Sequence, residues 1–422
     1  MDRMRIIGGK ALHGKVQISG SKNAALPILI SSLLTSEACT YRRVPGLQDI
    51  HTVLKLLSSM GVQTETHLDE GKVRLRAQEV PLLEAPYDLV RKMRASVVVL
   101  GPMLARFGKA KVSLPGGCAI GARPVNYHLA GLEKLGATIE LENGYVIASA
   151  KKLKGTRVGL EFPSVGATEN ILMASVLAEG ETLIENCAKE PEIVDLARVL
   201  RAMGAEIEGE GTETIRVQGK SALHGCDYEV MGDRIEAGTF LAAGFATGGS
   251  VSVEGLDPEF LESVLLKFEE AGAKIERGKS LISLHSSGTP IATDITTQPF
   301  PGFPTDMQAQ FMALMAVAEG ASVISETIFE NRFMHVPELC RLGADITIRG
   351  NNALIKGQKT LRGAPLMATD LRASASLIIG GLCSEGETIV NRIYHLDRGY
   401  DRMEEKLIKL GAQIERISDH EK

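Results

Sequence analysis

The chain has 422 residues, which is long for a single hydrophobic core and predicts two domains of roughly 200 residues each. Its formal net charge is −5 and its aromatic content only 4%, so the basic stripe with interleaved aromatics that is typical of nucleic-acid binding is missing. The N-terminal stretch lacks the apolar segment of a signal peptide, and no apolar run approaches the roughly 20 residues that span a bilayer. These features predict a cytosolic α/β protein that binds neither nucleic acid nor membranes.

A short motif, in which glycine follows an apolar or small residue and precedes Ala or Val, recurs six times along the chain. Its glycines lie 68 to 75 residues apart, at Gly61, Gly136, Gly204, Gly272, Gly343 and Gly411. Each follows apolar residues at helical spacing, so we expect each to be the left-handed residue that ends a helix. Most units carry a second helix of Ala, Leu, Met and Gly, predicted to be buried on most sides and to end at Gly180, Gly320 or Gly386. The unit is therefore interpreted as strand–helix–strand–helix–strand–strand.

The last unit is incomplete, because only 11 residues follow Gly411. Residues 7–14 resemble residues 217–225, so we expect the N-terminal segment to pair with the C-terminal strand and to complete this unit. Grouping the units by three predicts one domain of residues 21–231 and another of residues 1–20 plus 232–422, with the active site in the cleft between them. A single stacked solenoid is the alternative, but solenoids need atypical capping ends. Because the repeats are expected to form closed domains, a single chain should be sufficient, which favours a monomer.

Polar and charged residues stand just ahead of the first buried helix in several units. They are Lys22 and Asn23, Arg91 to Arg94, Arg234, Thr305 and Asp306, and Asp370 to Arg372. Helix N-termini attract anions, whereas a basic residue there is unfavourable for the helix itself. Lys22, Arg94 and Arg372 therefore indicate an anionic ligand, and ordinary solvated charge is the alternative for each.

The segment 113–124 is a Gly/Pro-rich loop that contains Cys118. Six cysteines are scattered along the chain without metal-ligand spacing, and the default expectation for each is a small buried residue. Cys118 differs because Arg123 follows five residues later, with His128 beyond it. A nearby guanidinium lowers the pKa of a thiol, which suits acid–base or nucleophilic chemistry. Cys118 is therefore a candidate functional residue.

Several long motifs carry a resemblance to a known family. They are SerLysAsnAla at 21–24, ProGlyGlyCysAlaIleGlyAlaArgPro at 115–124, PheProThrAspMetGlnAlaGln at 303–310, PheGluAsnArgPheMetHis at 329–335, ThrAspLeuArgAlaSerAla at 369–375 and ArgIleTyrHisLeuAspArgGlyTyr at 392–400. Together they resemble the UDP-N-acetylglucosamine 1-carboxyvinyltransferases of the enolpyruvyl transferase family, and the similarity spans the whole chain. The resemblance implies a pair of inside-out α/β barrels, each built from three βαβαββ units.

The resemblance also implies a reaction. The enolpyruvyl group of phosphoenolpyruvate is transferred to the 3-hydroxyl of UDP-N-acetylglucosamine with release of phosphate, by addition and then elimination. This is the first committed step of peptidoglycan synthesis, and it uses no metal or organic cofactor. The expected partners are these two small-molecule substrates.

Carried over by motif, the resemblance assigns roles to individual residues. Cys118 is implied as the proton donor and Asp306 as the base for the 3-hydroxyl. The residues implied to hold the phosphate of phosphoenolpyruvate are Lys22, Arg123 and Arg398, those for its carboxylate are Arg332 and Arg372, and Asn23 belongs to the same site. The residues implied for the UDP-sugar are Asn23, Arg94, Arg123, Pro124, Val125, Asn126, Tyr127, Ser164, Val165, Gly166, Asp306 and Ile328. Glu190, Arg234 and Asp370 match further family positions.

Two positions depart from the family pattern. Phe162 and Pro163 stand where some relatives have a lysine that contacts the nucleotide, and Asn126 stands where some have aspartate. The alternatives are a 5-enolpyruvylshikimate-3-phosphate synthase, whose members do not use a loop cysteine, and a non-catalytic UDP-sugar-binding paralogue. The motifs ProGlyGlyCys and PheGluAsnArg argue against the synthase, and retention of Cys118, Asp306, Lys22 and the arginines together argues against the paralogue.

Overall fold

The computed structural model describes residues 2–91, 93–114 and 125–418. These residues form two compact units. Unit A contains the described residues between Gly20 and Met231, and unit B contains residues 2–19 and 232–418. Each unit has its own hydrophobic core.

The strands of both units are short, with at most five residues each. In chain order they are β1 (Arg3–Ile7), β2 (His13–Gln17), β3 (Ala38–Arg42), β4 (Gln63–His67), β5 (Lys72–Arg76), β6 (Glu84–Ala85), β7 (Lys109–Ser113), β8 (Thr138–Glu142), β9 (Tyr145–Ser149), β10 (Arg157–Gly159), β11 (Glu181–Glu185), β12 (Glu206–Glu208), β13 (Thr214–Gln218), β14 (Asp227–Glu229), β15 (Ser250–Glu254), β16 (Lys274–Arg277), β17 (Leu281–His285), β18 (Ile295–Thr296), β19 (Ala321–Ser325), β20 (Asp345–Arg349), β21 (Asn352–Lys356), β22 (Leu361–Arg362), β23 (Pro365–Met367), β24 (Ser384–Glu385), β25 (Glu387–Asn391) and β26 (Gln413–Ile417).

The α-helices have at most 13 residues, so no helix of the described ranges reaches the roughly 20 residues that cross a membrane. In chain order they are α1 (Lys22–Ser31), α2 (Gln48–Met60), α3 (Tyr87–Val90), α4 (Leu100–Phe107), α5 (Asn126–Lys134), α6 (Val165–Ser175), α7 (Pro191–Ala202), α8 (Arg234–Ala246), α9 (Glu262–Glu270), α10 (Gln308–Met315), α11 (Val336–Arg341), α12 (Leu371–Cys383) and α13 (Met403–Lys409). Short 3-10 helices lie at Ser32–Leu34, Leu68–Glu70, Arg94–Val99, Pro258–Leu261, Thr305–Met307 and Ile393–Arg398.

Each unit contains three four-stranded sheets of one design, with one parallel and two antiparallel strand pairs. The sheets of unit A have the strand orders β14-β3-β5-β4, β6-β7-β9-β8 and β10-β11-β13-β12. Those of unit B have the orders β16-β17-β15-β2, β18-β19-β21-β20 and β23-β25-β1-β26, and β22 pairs with β24 beside them. The predicted mixed α/β fold is thereby confirmed.

The N-terminal strand β1 lies between β25 and β26 and pairs antiparallel with both. Its register places Arg3 opposite Ile417 and Ile7 opposite Gln413. The prediction that the N-terminal segment pairs with the C-terminal strand is confirmed. The alternation of buried Met4 and Ile6 with more exposed neighbours fixes which face of β1 meets the core.

Two kinds of helix follow from two kinds of sequence. Helix α2 has an apolar stripe that includes Ile50, Val53 and Leu57 at helical spacing, and its other face is exposed. Helix α10 is composed of Gln, Ala, Phe, Met and Leu, and all of its residues are buried. Helices α6, α8 and α12 are likewise buried almost throughout, as predicted for the Ala- and Leu-rich segments.

The predicted ends of the second helices are wrong by several residues. Helices α6, α10 and α12 end at Ser175, Met315 and Cys383, before Gly180, Gly320 and Gly386. The intervening backbone leaves the helix because it bridges to a neighbouring segment, as Glu179 does to Lys154 and Glu319 to Ile291. Each glycine instead has positive φ and directly precedes a strand. One of the cysteines expected to be buried, Cys340, is exposed.

The six repeated glycines all adopt left-handed φ values, between +95° and +106°, which confirms them as helix-ending residues. At Gly343 φ is +95° and a Cβ would meet no atom within 4 Å, so space does not limit substitution there. The backbone conformation alone therefore requires glycine at this position.

We predict that Gly343→Ala lowers the free energy of unfolding by about 1 kcal/mol, because an L-residue other than Asn or Asp is strained at positive φ. Gly343→Asn is the matched control and should lose less stability, since Asn tolerates this conformation. Thermal unfolding of the three proteins measures the difference. Equal stability of the Ala variant and the parent would contradict the backbone argument.

Candidate active site

In unit B the carboxylate of Asp306 lies between two arginines. Arg332 Nη2 donates to Asp306 Oδ1 over 2.7 Å, and Arg372 Nη2 donates to Oδ2 over 3.0 Å. Asp306 belongs to the 3-10 helix Thr305–Met307, which leads into α10, and Arg372 is the second residue of α12. The fold thus brings Asp306, Arg332 and Arg372 together, although Asp306 and Arg372 are 66 positions apart in the sequence.

Burial and the neighbouring positive charges have opposite effects on the pKa of Asp306. The side chains of Arg332 and Arg372 are 8% and 3% exposed, and that of Asp306 is 26% exposed. Burial by itself raises the pKa of Asp306, but the positive charges of Arg372 and Arg332 outweigh it and hold that pKa well below its usual range. The resulting stabilisation is present above the unfolded-state pKa of about 3.9 and is lost only as pH falls through the lower folded-state value. Asp306 is therefore ionised at neutral pH.

Arg332 is held in place through a second chain of hydrogen bonds. Its Nη1 donates to Thr305 Oγ1 over 2.8 Å, and that hydroxyl donates to Glu326 Oε2 over 2.9 Å. The other carboxylate oxygen of Glu326 accepts from the backbone N–H groups of Ile328 and Phe329. Glu326 is thus a link between Arg332 and the predicted UDP-sugar residue Ile328. The sequence does not single it out, because an isolated Glu after a strand looks like a solvent-exposed residue.

The backbone amides at the start of α12 are capped from within the chain. Asp370 Oδ1 accepts from the backbone N–H of Arg372 over 2.8 Å and from that of Ala373 over 3.0 Å. Asp233 caps α8 in the same way. These carboxylates offset the basic residues that open both helices. Within the described part of the chain, Nε and Nη1 of buried Arg372 have no hydrogen-bond partner, so this guanidinium retains donors for an anion.

Two further predicted residues lie in unit B. Arg398 ends the 3-10 helix Ile393–Arg398; the pKa of His395 in that helix is lowered first by burial and next by the charge of Arg398. Arg234 begins α8 and is buried, and its guanidinium carbon lies 5.8 Å from the centre of the Phe300 ring. Both residues add positive charge to this unit.

In unit A the predicted phosphate ligand Lys22 forms a buried ion pair. Its Nζ lies 2.9 Å from Asp49 Oδ2, and the two side chains are 11% and 4% exposed. Lys22 begins α1, which Ser21 caps through the N–H of Ala24, and Asn23 is the next residue. Asp49 is not predicted from the sequence. The available signal was a carboxylate beside the apolar stripe of α2, which is unusual without a cation.

Some of the predicted UDP-sugar residues of unit A lie near His128. A Cβ on Gly166 would lie 3.0 Å from His128 Cε1, so the start of α6 packs on this ring. Burial and then the charge of Arg94 lower the pKa of His128 to about 4, so the ring is neutral at pH 7. Its Nδ1 lies 3.0 Å from the amide nitrogen of Asn170, which donates to it, and the ring proton is then on Nε2.

The helices that carry these residues begin close to one another. Val125, Asn126 and Tyr127 form the start of α5, and Ser164 caps α6 by accepting from the N–H of Ala167. Because His128 contacts Gly166, the two helix starts are neighbours in unit A. Phe162, which replaces the lysine of some relatives, is 40% exposed. Pro163 follows it directly.

A carboxylate cluster surrounds Glu169 in unit A. Burial first, then the charges of Glu192 and Glu190, hold the pKa of Glu169 well above its usual range. Glu190 immediately precedes α7 and Glu192 lies in its first turn. This environment therefore favours the protonated form of Glu169. No group of His, Cys, Asp and Glu with metal-binding geometry occurs among the residues whose structure is described.

Three predicted site residues, Cys118, Arg123 and Pro124, lie outside the described residues. Unit B offers two buried guanidinium groups on an ionised carboxylate, and unit A by itself offers a buried ammonium group. Guanidinium and ammonium groups bind carboxylates and phosphates, and an ionised carboxylate accepts a proton. The arrangement suits a reaction on a small anionic substrate.

Comparison with known proteins gives a consistent assignment. Residues 6–407 match the family model described as EPSP synthase (3-phosphoshikimate 1-carboxyvinyltransferase). The chain is 58% identical over 420 residues to the UDP-N-acetylglucosamine 1-carboxyvinyltransferase of Nitratidesulfovibrio vulgaris strain Hildenborough, covering 99% of this chain and 100% of the relative. It is 56% identical to the enzyme of the same name from Trichlorobacter lovleyi, with the same coverage.

Solved structures agree on the fold. The enolpyruvyl transferase NikO from Streptomyces tendae is 26% identical, with a TM-score of 0.88 over 99% of both chains. EPSP synthase from Acinetobacter baumannii is 22% identical, with a TM-score of 0.76 over 99% of this chain and 100% of that one. The chain therefore belongs to the enolpyruvyl transferase family and, within it, to the UDP-N-acetylglucosamine 1-carboxyvinyltransferases.

Proposed function

We propose that this protein transfers the enolpyruvyl group of phosphoenolpyruvate to the 3-hydroxyl of UDP-N-acetylglucosamine and releases phosphate. The observation that carries the proposal is the ionised carboxylate of Asp306 between two buried arginines. It occurs in a chain that is 58% identical to a UDP-N-acetylglucosamine 1-carboxyvinyltransferase. In this role it catalyses the first committed step of peptidoglycan synthesis.

The carboxylate of phosphoenolpyruvate binds Arg332 and Arg372. Both guanidinium groups are buried and charged, and Asp306 occupies one N–H donor of each. The substrate carboxylate competes with Asp306 for these donors. Desolvated guanidinium–carboxylate pairs are stronger than exposed ones, which favours binding at this position.

Substrate binding then activates the base. Asp306 is a weak proton acceptor while two guanidinium charges hold its pKa low. When the substrate carboxylate shares those charges, the pKa of Asp306 rises and the side chain accepts the proton of the sugar 3-hydroxyl more readily. The arginines therefore both bind one substrate and prepare the base for the other.

The remaining assignments complete the addition and the elimination. Cys118 donates a proton to the methylene carbon of phosphoenolpyruvate while the sugar oxygen bonds to C2. Lys22, Arg123 and Arg398 stabilise the phosphate, which leaves with the C2–O bond electrons as the methyl group returns a proton to the Cys118 thiolate. The buried ion pair with Asp49 supports this role for Lys22, because it holds the amino group in one place inside the protein. Asn23 contacts both substrates.

The UDP-sugar is assigned to the helix starts of unit A and to Ile328 of unit B. The contact between His128 and Gly166 supports this proposal, because it brings the turn at 125–127 beside the turn at 164–166. Arg94 adds a positive charge near the same ring. Helix starts of this kind present N–H groups to the phosphates of a nucleotide.

The architecture of the enzyme is also part of the proposal. The division into domains of residues 21–231 and 1–20 plus 232–422, each an inside-out barrel of three βαβαββ units, is supported by three sheets of one design in each unit. A cytosolic location and a monomeric state remain predictions from the sequence.

The two alternative functions predict different reactivity. An EPSP synthase would accept shikimate 3-phosphate, and a paralogue that only binds UDP-sugar would be inactive. We predict phosphate release with phosphoenolpyruvate and UDP-N-acetylglucosamine and none with shikimate 3-phosphate, in a coupled phosphate assay. Activity with shikimate 3-phosphate alone, or with neither acceptor, would overturn the proposal.

We predict that Asp306→Asn lowers kcat by about 10²- to 10⁴-fold, the usual contribution of a general base, yet tightens binding of phosphoenolpyruvate. The second effect follows because the amide no longer competes as a charge for Arg332 and Arg372. Steady-state kinetics and calorimetric titration measure the two quantities. Asp345→Asn, on the exposed strand β20, is the control and should match the parent. Weaker binding by Asp306→Asn would contradict the competition.

We predict that an epoxide such as fosfomycin adds once to the protein at Cys118, because the thiolate is the nucleophilic form of cysteine and opens the ring. Intact-mass spectrometry and peptide mapping locate the adduct. Cys118→Asp should remain unmodified and active in its presence, while Cys340→Ser, which removes an exposed thiol, should be modified like the parent. An adduct that persists in Cys118→Asp would refute the role of this thiol.

A further inference from the structure

Three buried polar side chains lie beneath Asp306 and Arg372 in unit B. Thr239, Gln310 and Tyr400 come from α8, α10 and the segment after Arg398, and their exposed fractions are 0%, 0% and 2%. Gln310 Nε2 lies 3.0 Å from Thr239 Oγ1 and 3.1 Å from the Tyr400 hydroxyl, which are themselves 2.9 Å apart. Nothing in the proposed chemistry accounts for this cluster.

The direction of each hydrogen bond follows from counting protons. The hydroxyl of Thr239 has one proton and donates it to the carbonyl of Ile235 over 2.7 Å. The Tyr400 hydroxyl must therefore donate to Thr239, and the two N–H protons of Gln310 Nε2 are shared among three acceptors, which are Thr239 Oγ1, the Tyr400 hydroxyl and the backbone carbonyl of Asp306. Burial raises the pKa of Tyr400, although the charge of Arg372 opposes this, so the phenol keeps the proton that the network needs.

Each end of the network reaches a member of the candidate site. Gln310 Nε2 also donates to the backbone carbonyl of Asp306 over 2.9 Å, which fixes the orientation of its amide because a carbonyl only accepts. The ring of Tyr400 lies 5.5 Å from the guanidinium carbon of Arg372, within the range of a cation–π contact. One side of the cluster thus holds the main chain of the proposed base, and the other holds an arginine that pairs with it.

We propose that Gln310 and Tyr400 are positioning residues, which set the relative geometry of Asp306 and Arg372 for binding the carboxylate of phosphoenolpyruvate. The inference rests on the proposed function, which assigns that carboxylate to Arg332 and Arg372. Neither residue touches the substrate in this account. The competing explanation is that the cluster only joins α8, α10 and the segment around Tyr400 in the core.

Gln310→Met tests the first arm of the network, because Met is similar in size and cannot donate to the Asp306 carbonyl. We expect kcat/KM for phosphoenolpyruvate to fall by about tenfold to a hundredfold, as misplaced site groups commonly cause, with little change in KM for UDP-N-acetylglucosamine. Gln308→Met is the matched control. Gln308 lies on the same helix and is equally buried, but its amide has no hydrogen-bond partner within the described ranges.

Tyr400→Phe tests the second arm, since it removes the hydroxyl and keeps the ring under Arg372. We expect kcat/KM for phosphoenolpyruvate to fall by about tenfold, because a slightly misplaced Arg372 binds the substrate carboxylate less well. Tyr41→Phe is the control, because Tyr41 is a fully buried tyrosine of unit A whose hydroxyl lies 3.4 Å from Ser31 Oγ. It should keep the kinetic constants of the parent even if its melting temperature falls.

The outcomes separate the inference from the proposed function. A parent protein without activity on phosphoenolpyruvate and UDP-N-acetylglucosamine would remove the function itself. An active parent whose folded Gln310→Met and Tyr400→Phe variants keep its KM and kcat, and lose only melting temperature, would leave the function and overturn the inference. If Gln310→Met fails to fold, the milder Tyr400→Phe variant tests the inference by itself. A lower kcat/KM for phosphoenolpyruvate than in Tyr41→Phe would support the inference, and equal kinetic constants would overturn it.

Discussion

A charge can remain inside a protein only when opposite charges and hydrogen bonds replace the water it has lost, and the candidate site is organised around that requirement. Arg332 and Arg372 are almost fully buried, and Asp306 is the carboxylate that pairs with both. The same pairing keeps the carboxylate ionised and holds its pKa low. In the function proposed above, the anionic substrate weakens this pairing when it binds the arginines, and the basicity of Asp306 rises as a result.

The fold attaches these side chains to the N-terminal ends of rigidly packed helices. Arg372 and Arg234 lie at the beginnings of buried helices whose N-termini are capped by Asp370 and Asp233, and Asp306 immediately precedes a third. These helices are apolar on nearly every face, so packing determines their positions and leaves their first residues for chemistry. In unit A, Lys22 stands at the start of α1 in the same way.

The features that could be predicted from the sequence were those with local causes. A glycine that directly follows an apolar helical stripe ends that helix with a left-handed φ, and Ala- and Leu-rich segments must be buried, so both predictions were confirmed. The ends of helices α6, α10 and α12 were predicted several residues too late, at Gly180, Gly320 and Gly386. These helices end earlier because the backbone that follows them bridges to segments that are distant in the sequence. Asp49, Glu326, Gln310 and Tyr400 were not predicted, since each acquires its role from a partner more than 20 residues away, or on a different element, that no local pattern reveals.

The competition between Asp306 and the substrate carboxylate can be observed on the carboxylate itself. Carboxyl carbon NMR of protein labelled in aspartate, with the Asp306 signal assigned by its loss in Asp306→Asn, should show no titration of this group between pH 7 and about 4, given an ordinary aspartate pKa of about 3.9. Saturating phosphoenolpyruvate should then move its midpoint upward. A midpoint at the ordinary value in the free protein, unchanged by phosphoenolpyruvate, would contradict the account.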